Sequence, residues 1–568
     1  GKVKKKTLAN LSHLPDNVIE LIRKALKGED VQSPTLEASQ RQSADGAAAP
    51  PQALLPGFPP TINDNLIHGQ VMVALKVIRE LGLEEIISSN ECQERNLVLA
   101  MIVNRIIRPK SKLSTVSWWK TTTLVDELGL EDADEDDLYA AMDWLYQKQG
   151  SIETKLAQRH LEEGGSAIYD LSSSYLEGGG CELAMYGYSR DKKRGKVQIN
   201  FGLLTDRQGR PVSIEVYPGN ITDSISFCPV VEKIRNEFNL NKLIIVGDSG
   251  MMVSKNIEIL KGMKGIDWIS ALKTISIKSL VKDNIVQPSL FDERNILEIH
   301  APDDYPGERL IFCRNPALAK KRTEVRLKLL EKTDEVLEKI KKRVDTGRLK
   351  GQDKISLAID RVIDNFKMKK HFILEITNTS FIYTHNLQSI NSENILDGIY
   401  LIITSLNNDT IRSDDVVREY KNLKNVERSF RSIKMKDLHI RPIYHYEFKR
   451  VKTHFFICML AYYVLWHLKE AWRPLIFTDE ESNLKDKNNP VTTAKQSDSA
   501  IKKLNIKKSI HGFDLSNFKC LFARFGTITK SIVELKLVNI PPITYKVQSE
   551  MDAHQAKAFE LLDTIKTL

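Results

Sequence analysis

The sequence predicts an α/β protein: a mixed sheet with helices on its faces, preceded by an all-helical region and interrupted by an α+β insertion. Three observations carry this. Apolar residues recur at helical spacing through residues 66–163. From residue 166 the period shortens to that of strands, and strands then alternate with helices as far as residue 273. A stretch of mixed character, 274–410, intervenes before helical periodicity returns after Ser413.

Composition narrows the function classes. With 568 residues the chain is expected to hold several domains. Its 83 Lys and Arg against 74 Asp and Glu leave a net charge of +9, which permits a polyanionic partner. The longest apolar run, Phe455 to Trp466, falls short of the about 20 residues that a bilayer span needs. It predicts a buried helix and no membrane partner. The six cysteines are dispersed with no C-x-x-C pair, which argues against a disulfide scaffold or zinc ribbon and for a reducing cytoplasm.

In chain order, residues 1–30 carry a short amphipathic helix at 14–29, with Val18, Ile19, Ile22 and Leu26 on one face. Residues 31–65 read as a flexible linker; six prolines and six alanines fall between positions 31 and 62. Helices are expected at 66–82, 91–108, 111–128, 135–148 and 150–163, punctuated by Pro109 and Gly129. The acidic run from Asp126 to Leu138 reads as a solvated loop and helix start, where acids favour the positive helix end.

SAIYDLSSSYLEG, 166–178, predicts a strand followed by a polar loop. A hairpin follows, with strands 196–205 and 211–217 about a turn at Asp206 to Gly209. Then come a helix at 223–239, a buried strand in KLIIVGDSG (242–250), a helix at 253–262 and a strand at 267–273. Three strands, helix, strand, helix, strand is the layout of an RNase H-like domain, here 164–273 completed by 411–470. The insertion, 274–410, holds strand-like pieces at 294–300, 308–313, 371–377, 380–384 and 398–405 around a charged helix at 317–346. Lys320 to Lys354 carry thirteen basic and seven acidic residues, either a solvated helix laced with i,i+4 pairs or an arm that faces DNA. Helices at 414–434 and 447–470 close the core. The C-terminal region, 471–568, has a polar stretch at 475–510, strands at 532–538 and 543–547, and a last helix at 551–567.

Phosphoryl transfer needs carboxylates gathered around hard divalent ions. Asp170 follows the apolar Ala167, Ile168 and Tyr169 on the first core strand, and Asp248 ends the fourth. In an RNase H-like sheet these two strands are parallel neighbours, so both acids reach the carboxyl edge together. An Asp at the end of an apolar strand is costly unless paired or ligating. A third acid should come from the later helix REYKNLKNVERSFRSIK, 418–434. There Leu423, Val426, Phe430 and Ile433 form one apolar stripe, and Tyr420, Glu427 and Lys434 a second stripe beside it. Lys424 and Arg431 flank Glu427 at three- and four-residue spacing, so an acid sits among cations that suit phosphates.

At these residues the sequence resembles the DDE transposases of bacterial insertion sequences, in the group similar to insertion sequence four. That group's signature is Y-x2-R-x3-E-x6-K. Tyr420, Glu427 and Lys434 match in register, while Leu423 stands at the Arg position with Lys424 and Arg428 as neighbouring cations. YDLSSSYLEG (169–178) with GYSRDKKRGKVQINFGLLTDRQGRPVSIEVYPGN (187–220) resembles the family's first-Asp region, VGDSGM (246–251) the second, and VERSFRSIKMKDLHIRPIYH (426–445) the third.

The resemblance spans about 65 to 475 and implies a start at Gly1 that is internal to a longer protein. It implies a DNA transposase in which Asp170, Asp248 and Glu427 hold two Mg2+ ions, with Mn2+ as a substitute. Water attacks each transposon end, and the freed 3′ hydroxyl attacks target DNA. Tyr420 and Lys434 contact DNA near the cut, His439 and Arg441 lie just beyond, and the 66–163 helices recognise the terminal repeats. The partners implied are double-stranded DNA and a second copy of the chain, in a bacterial cytoplasm. Two rival readings are a catalytically inactive DNA-binding regulator and a metal-dependent nuclease that does not join strands.

Overall fold

The computed structural model describes residues 61–567 other than 194, 283–289, 301–304, 480–488, 493–495, 510 and 538–539. The helix expected at 14–29 lies outside the described residues.

The strands are β1 (Thr61–Ile67), β2 (Ser166–Tyr175), β3 (Gln198–Asp206), β4 (Pro211–Pro218), β5 (Leu243–Val246), β6 (Ile266–Ala271), β7 (Ile296–His300), β8 (Arg309–Arg314), β9 (Phe372–Ile376), β10 (Phe381–His385), β11 (Ile399–Thr404), β12 (Thr529–Leu537) and β13 (Ile540–Gln548). Eight of them form one mixed sheet in the order β4-β3-β2-β5-β6-β11-β8-β7. β2, β5 and β6 run parallel to one another, and the other neighbours are antiparallel. β3 is buried along its whole length, which suits its position inside the sheet under helices.

Three strands assigned from sequence to the insertion belong to this sheet instead. β11 pairs with β6 on one side and β8 on the other, so β7, β8 and β11 lengthen the core sheet. The separate lobe is shorter, from Pro316 to about Leu396. It comprises the helices Pro316–Asp345, Gln352–Phe366 and Leu387–Leu396 and the β9–β10 hairpin. Its own core joins Leu330, Leu337, Ile340 and Val344 of the charged helix to Ile355, Ile359, Ile363, Phe372 and Phe381. The charged helix is therefore amphipathic, with one buried stripe and a basic outer face.

The helices of the 66–163 region do not make a separate core. Val71 to Ala157, the sheet residues and the helix Phe448–Ala471 belong to one hydrophobic cluster. Phe448–Ala471, the apolar run of the sequence, is its axis: Phe455, Ile457, Leu460 and Val464 are fully buried. Two predicted helices, 135–148 and 150–163, are a single helix, Glu135–His160, started by a capping box at Asp134 and Asp137. Gly150 costs about 1 kcal/mol there. Burial of Leu138, Met142 and Leu145 before it and Ile152 and Leu156 after it holds both halves in line.

The predicted 111–128 helix is instead split into Lys112–Trp119 and Leu124–Leu128. At the break the Thr122 hydroxyl donates to the Trp119 carbonyl (2.8 Å) and accepts from the Leu124 amide (3.2 Å), diverting the backbone.

Two further expectations shift at the ends. Residues 61–65, read as linker, and 66–67, read as the start of a helix, are β1, which pairs with β12 beside β13 in a three-stranded sheet. The 475–510 stretch includes a helix, Asp498–Ile506, capped by the Ser497 hydroxyl.

Candidate active site

Sequence places two acids at the fork of the central sheet, and the backbone register shows why they meet. β2 and β5 pair in parallel at Ser166–Ile244, Ala167–Ile245 and Ile168–Val246, and pairing stops there. Asp170 and Asp248 each stand two residues past the last paired position, where β2 continues beside β3 and β5 turns away into the Gly247–Gly250 loop. The Asp170 carboxylate accepts the Leu171 amide (2.8 Å), and that of Asp248 accepts the Ser249 amide (2.7 Å).

The third acid arrives on the helix Leu423–Arg431, whose seating is set by its apolar stripe. Val426 is fully buried, and Phe430 meets Phe201 of β3 edge-on at 5.3 Å between ring centres; Phe201 in turn packs on Phe455 at 4.8 Å. The Asn425 side-chain Nδ2 donates to the Arg207 carbonyl (2.9 Å) in the β3–β4 turn. Gly209 of that turn has φ +89°, and a Cβ there would lie 3.0 Å from the Asn425 Cβ, so the turn admits the helix only as glycine. The preceding helix, Ser413–Lys421, is tied to the start of β2 by Ser166, whose hydroxyl donates to Glu419 (2.6 Å).

The result is a cavity of about 280 Å³ lined by Asp170, Asp248, Tyr420, Lys421, Leu423 and Glu427. Its electrostatics follow from burial and like charge. Desolvation, with the Asp248 carboxylate adding to it, pushes the Asp170 carboxyl from near 3.8 up to about 7. The Tyr420 hydroxyl is held well above its ordinary range by desolvation first, then by the charges of Asp248, Glu427 and Asp170, so it stays a proton donor.

Among the described residues, no three His, Cys, Asp or Glu side chains are gathered tightly enough to hold one ion as they stand. Asp170, Asp248 and Glu427, the acids expected to hold two ions, line one cavity. Its donor set, carboxylate oxygens with a poorly solvated Asp170 that has no cationic side chain bonded to it among the described residues, fits a hard divalent cation.

The predicted cationic residues divide. Lys424, Arg431 and His439 are exposed. Lys434 and Arg441 are not available as expected: Asp191 takes Lys434 at 2.6 Å and Arg441 at 3.2 Å, and Lys434 also donates to Ser172 (3.2 Å). The cause is local. The helix expected over 414–434 is interrupted at Asn422, and Ser432–Lys436 form a π turn. The wider turn carries Lys434 off the face of Glu427 and into the interior. Ser172, Ser173 and Ser174, read as a polar loop, continue β2, because β3 pairs with it as far as Tyr175.

Residues that sequence reasoning missed are Lys421, which lines the cavity and donates to the Val491 (2.9 Å) and Thr492 (3.2 Å) carbonyls, and the Arg190–Asp223 pair. Arg190 and Asp223 both act electrostatically on Asp170. Lys421 is adjacent in sequence to Tyr420 and could have been found from that. The other pair joins a loop to a helix N-terminus and leaves no sequence pattern.

Residues 168–464 match the family model of the transposase DDE domain. No curated protein matches this sequence. Among solved structures, the cryo-EM structure of the piggyBac transposase synaptic complex with hairpin DNA is similar at 7% identity, covering 74% of this chain and 75% of that one, with a TM-score of 0.32. The matched family span includes Asp170, Asp248 and Glu427 and takes in more than half of the sequence: the chain belongs to the transposase DDE domain family.

Proposed function

We propose that this DNA transposase cuts the ends of a bacterial insertion sequence, of the group similar to insertion sequence four, and joins the freed 3′ hydroxyl to target DNA. The observation that carries the reading is the single cavity in which Asp170, Asp248, Tyr420 and Glu427 meet. The strand order β4-β3-β2-β5-β6 supports an RNase H-like core around it, and the acids stand at the carboxyl fork of its parallel pair.

Asp170, Asp248 and Glu427 would hold the divalent ions, Mg2+ by preference for hard oxygen donors. Bound there, two such ions would activate the attacking oxygen and stabilise the leaving one. Asp170 gives up its proton when a cation takes its place. Tyr420 keeps its proton and donates to a phosphate oxygen. Lys424 and Arg431, on either side of Glu427, bring positive charge to the DNA backbone. The enzyme would act as a homodimer on paired ends, in the cytoplasm.

The test uses duplexes bearing the terminal repeats that flank the gene. With Mg2+ the parent should nick and then join them. Asp170→Asn, Asp248→Asn and Glu427→Gln should do neither, yet still retard the duplex in a gel. Equal cleavage by all three variants would put the chemistry elsewhere. Cleavage by the parent without joining would make it a nuclease, and binding without cleavage a regulator.

A further inference from the structure

The loop between β2 and β3 carries a feature that the cleavage chemistry does not use. Its sequence over 185–196 sets two tyrosines ahead of a cationic run, and Tyr186 and Tyr188 are 76% and 79% exposed. Isolated exposed apolar residues are ordinary. Two large rings on either side of one glycine, both turned outward, are a built arrangement. Gly187 is pressed against the Gly219 backbone so closely that a Cβ would fall 1.9 Å from the Gly219 carbonyl oxygen. Met185 and Gln198 exchange backbone hydrogen bonds at 3.0 and 2.7 Å. The backbone is thereby fixed, and its neighbours' rings have only the solvent side left.

The other end of the loop is fastened to the catalytic sheet. The Arg190 amide donates to the Ser173 hydroxyl (3.0 Å), its guanidinium pairs with Asp223, and Asp191 takes Lys434 and Arg441. Ser172, bonded to Lys434, is two residues from Asp170 on the same strand. Arg441 begins a second loop whose Tyr444 and Tyr446 are likewise mostly exposed, and Asp191 holds the two loops together. Lys192 and Lys193 are exposed immediately after the latch.

We propose that these tied loops form a stacking platform for unpaired bases of a DNA strand leaving the cleavage cavity, with Tyr186 and Tyr188 as the principal rings. The inference rests on the proposed DNA-cutting role of the neighbouring cavity. Tyrosine faces stack on any base, and adjacent lysines neutralise the phosphates between them, the combination that single-stranded nucleic acid requires. Continuity with Asp170 through Ser172 and Ser173 puts the platform beside the cut rather than at a remote site.

The test is binding by the full-length protein, without divalent metal, to labelled duplexes that end either blunt or in a single-stranded flap. The parent should prefer the flap. Tyr186→Ala with Tyr188→Ala should weaken flap binding about tenfold or more and leave blunt-duplex binding unchanged. The corresponding Phe double variant should bind like the parent, because the ring face is kept. Equal loss on both DNAs, no loss on either, or failure of Phe to substitute would overturn the proposal. So would a loss of self-association in sedimentation with DNA binding intact, which would make the surface a contact between copies. A parent that binds the flap in this ring-dependent way but never cuts would refute the cleavage reading and leave the platform standing. One that cuts normally whatever residues 186 and 188 are, with unchanged flap binding, would do the reverse.

Discussion

Lowering the pH should switch off metal binding at the cavity through Asp170. Its carboxyl titrates at about 7, raised by desolvation first and by the Asp248 charge. One unit below that value roughly a tenth of it is ionised, and one unit above roughly nine-tenths. A divalent ion binds the ionised form, so apparent affinity should rise about tenfold per pH unit up to pH 7 and level off above it.

The same shift acts on folding. A carboxyl with a folded-state value above its unfolded one binds more protons when folded. Its contribution to stability is therefore full below about pH 4 and is lost as pH rises to about 7. At about 1.4 kcal/mol per unit, the loss is on the order of 4 kcal/mol in the metal-free protein, and bound cation should offset it. Calorimetric titration with Mn2+ from about pH 5.5 to 8.5 reads the affinity directly. Asp170→Asn should abolish the slope. An affinity that is flat below pH 7 in the parent, or a slope that survives in Asp170→Asn, would refute the reasoning.

Other perturbations follow from the packing. Asp191→Asn leaves buried Lys434 and half-buried Arg441 without their carboxylate and should cost about 3 kcal/mol locally, read as faster amide hydrogen exchange over residues 181–197. Phe201→Ala empties the space between Phe430 and Phe455. It should cost about 3–5 kcal/mol and lower cleavage more than DNA binding, because Glu427 rides on that helix. DNA affinity should fall with salt on a log–log slope of about −0.9 per phosphate neutralised, and a flat dependence would argue against backbone contacts by the exposed cations.

Where local pattern decides a placement, the sequence was legible. Asp170 and Asp248 follow apolar strand runs, and the parallel β2–β5 pairing brings them level. Val426, Phe430 and Ile433 formed the buried stripe expected, which leaves Glu427 beside the cavity. Long-range pairing was not legible. Nothing local tells that β11 will pair with both β6 and β8, so the sheet's extra strands read as an insertion. Nor does spacing show a π turn, and without it Lys434 was placed on the face of Glu427 instead of against Asp191. The serine run looked like a loop because its hydroxyls are polar; in the fold, Ser172 and Ser173 bond to Lys434 and the Arg190 amide, which makes their burial affordable.

The central claim is that Asp170, Asp248 and Glu427 form one metal-holding centre. A crystal structure with Mn2+ and end DNA, recorded at the manganese absorption edge, tests it most directly. The account predicts anomalous peaks in the cavity, within ligand distance of Asp170 and Asp248 and with Glu427 drawn in to complete the shell. Peaks elsewhere, or a Glu427 carboxylate turned to solvent while the two aspartates hold the ion, would contradict it.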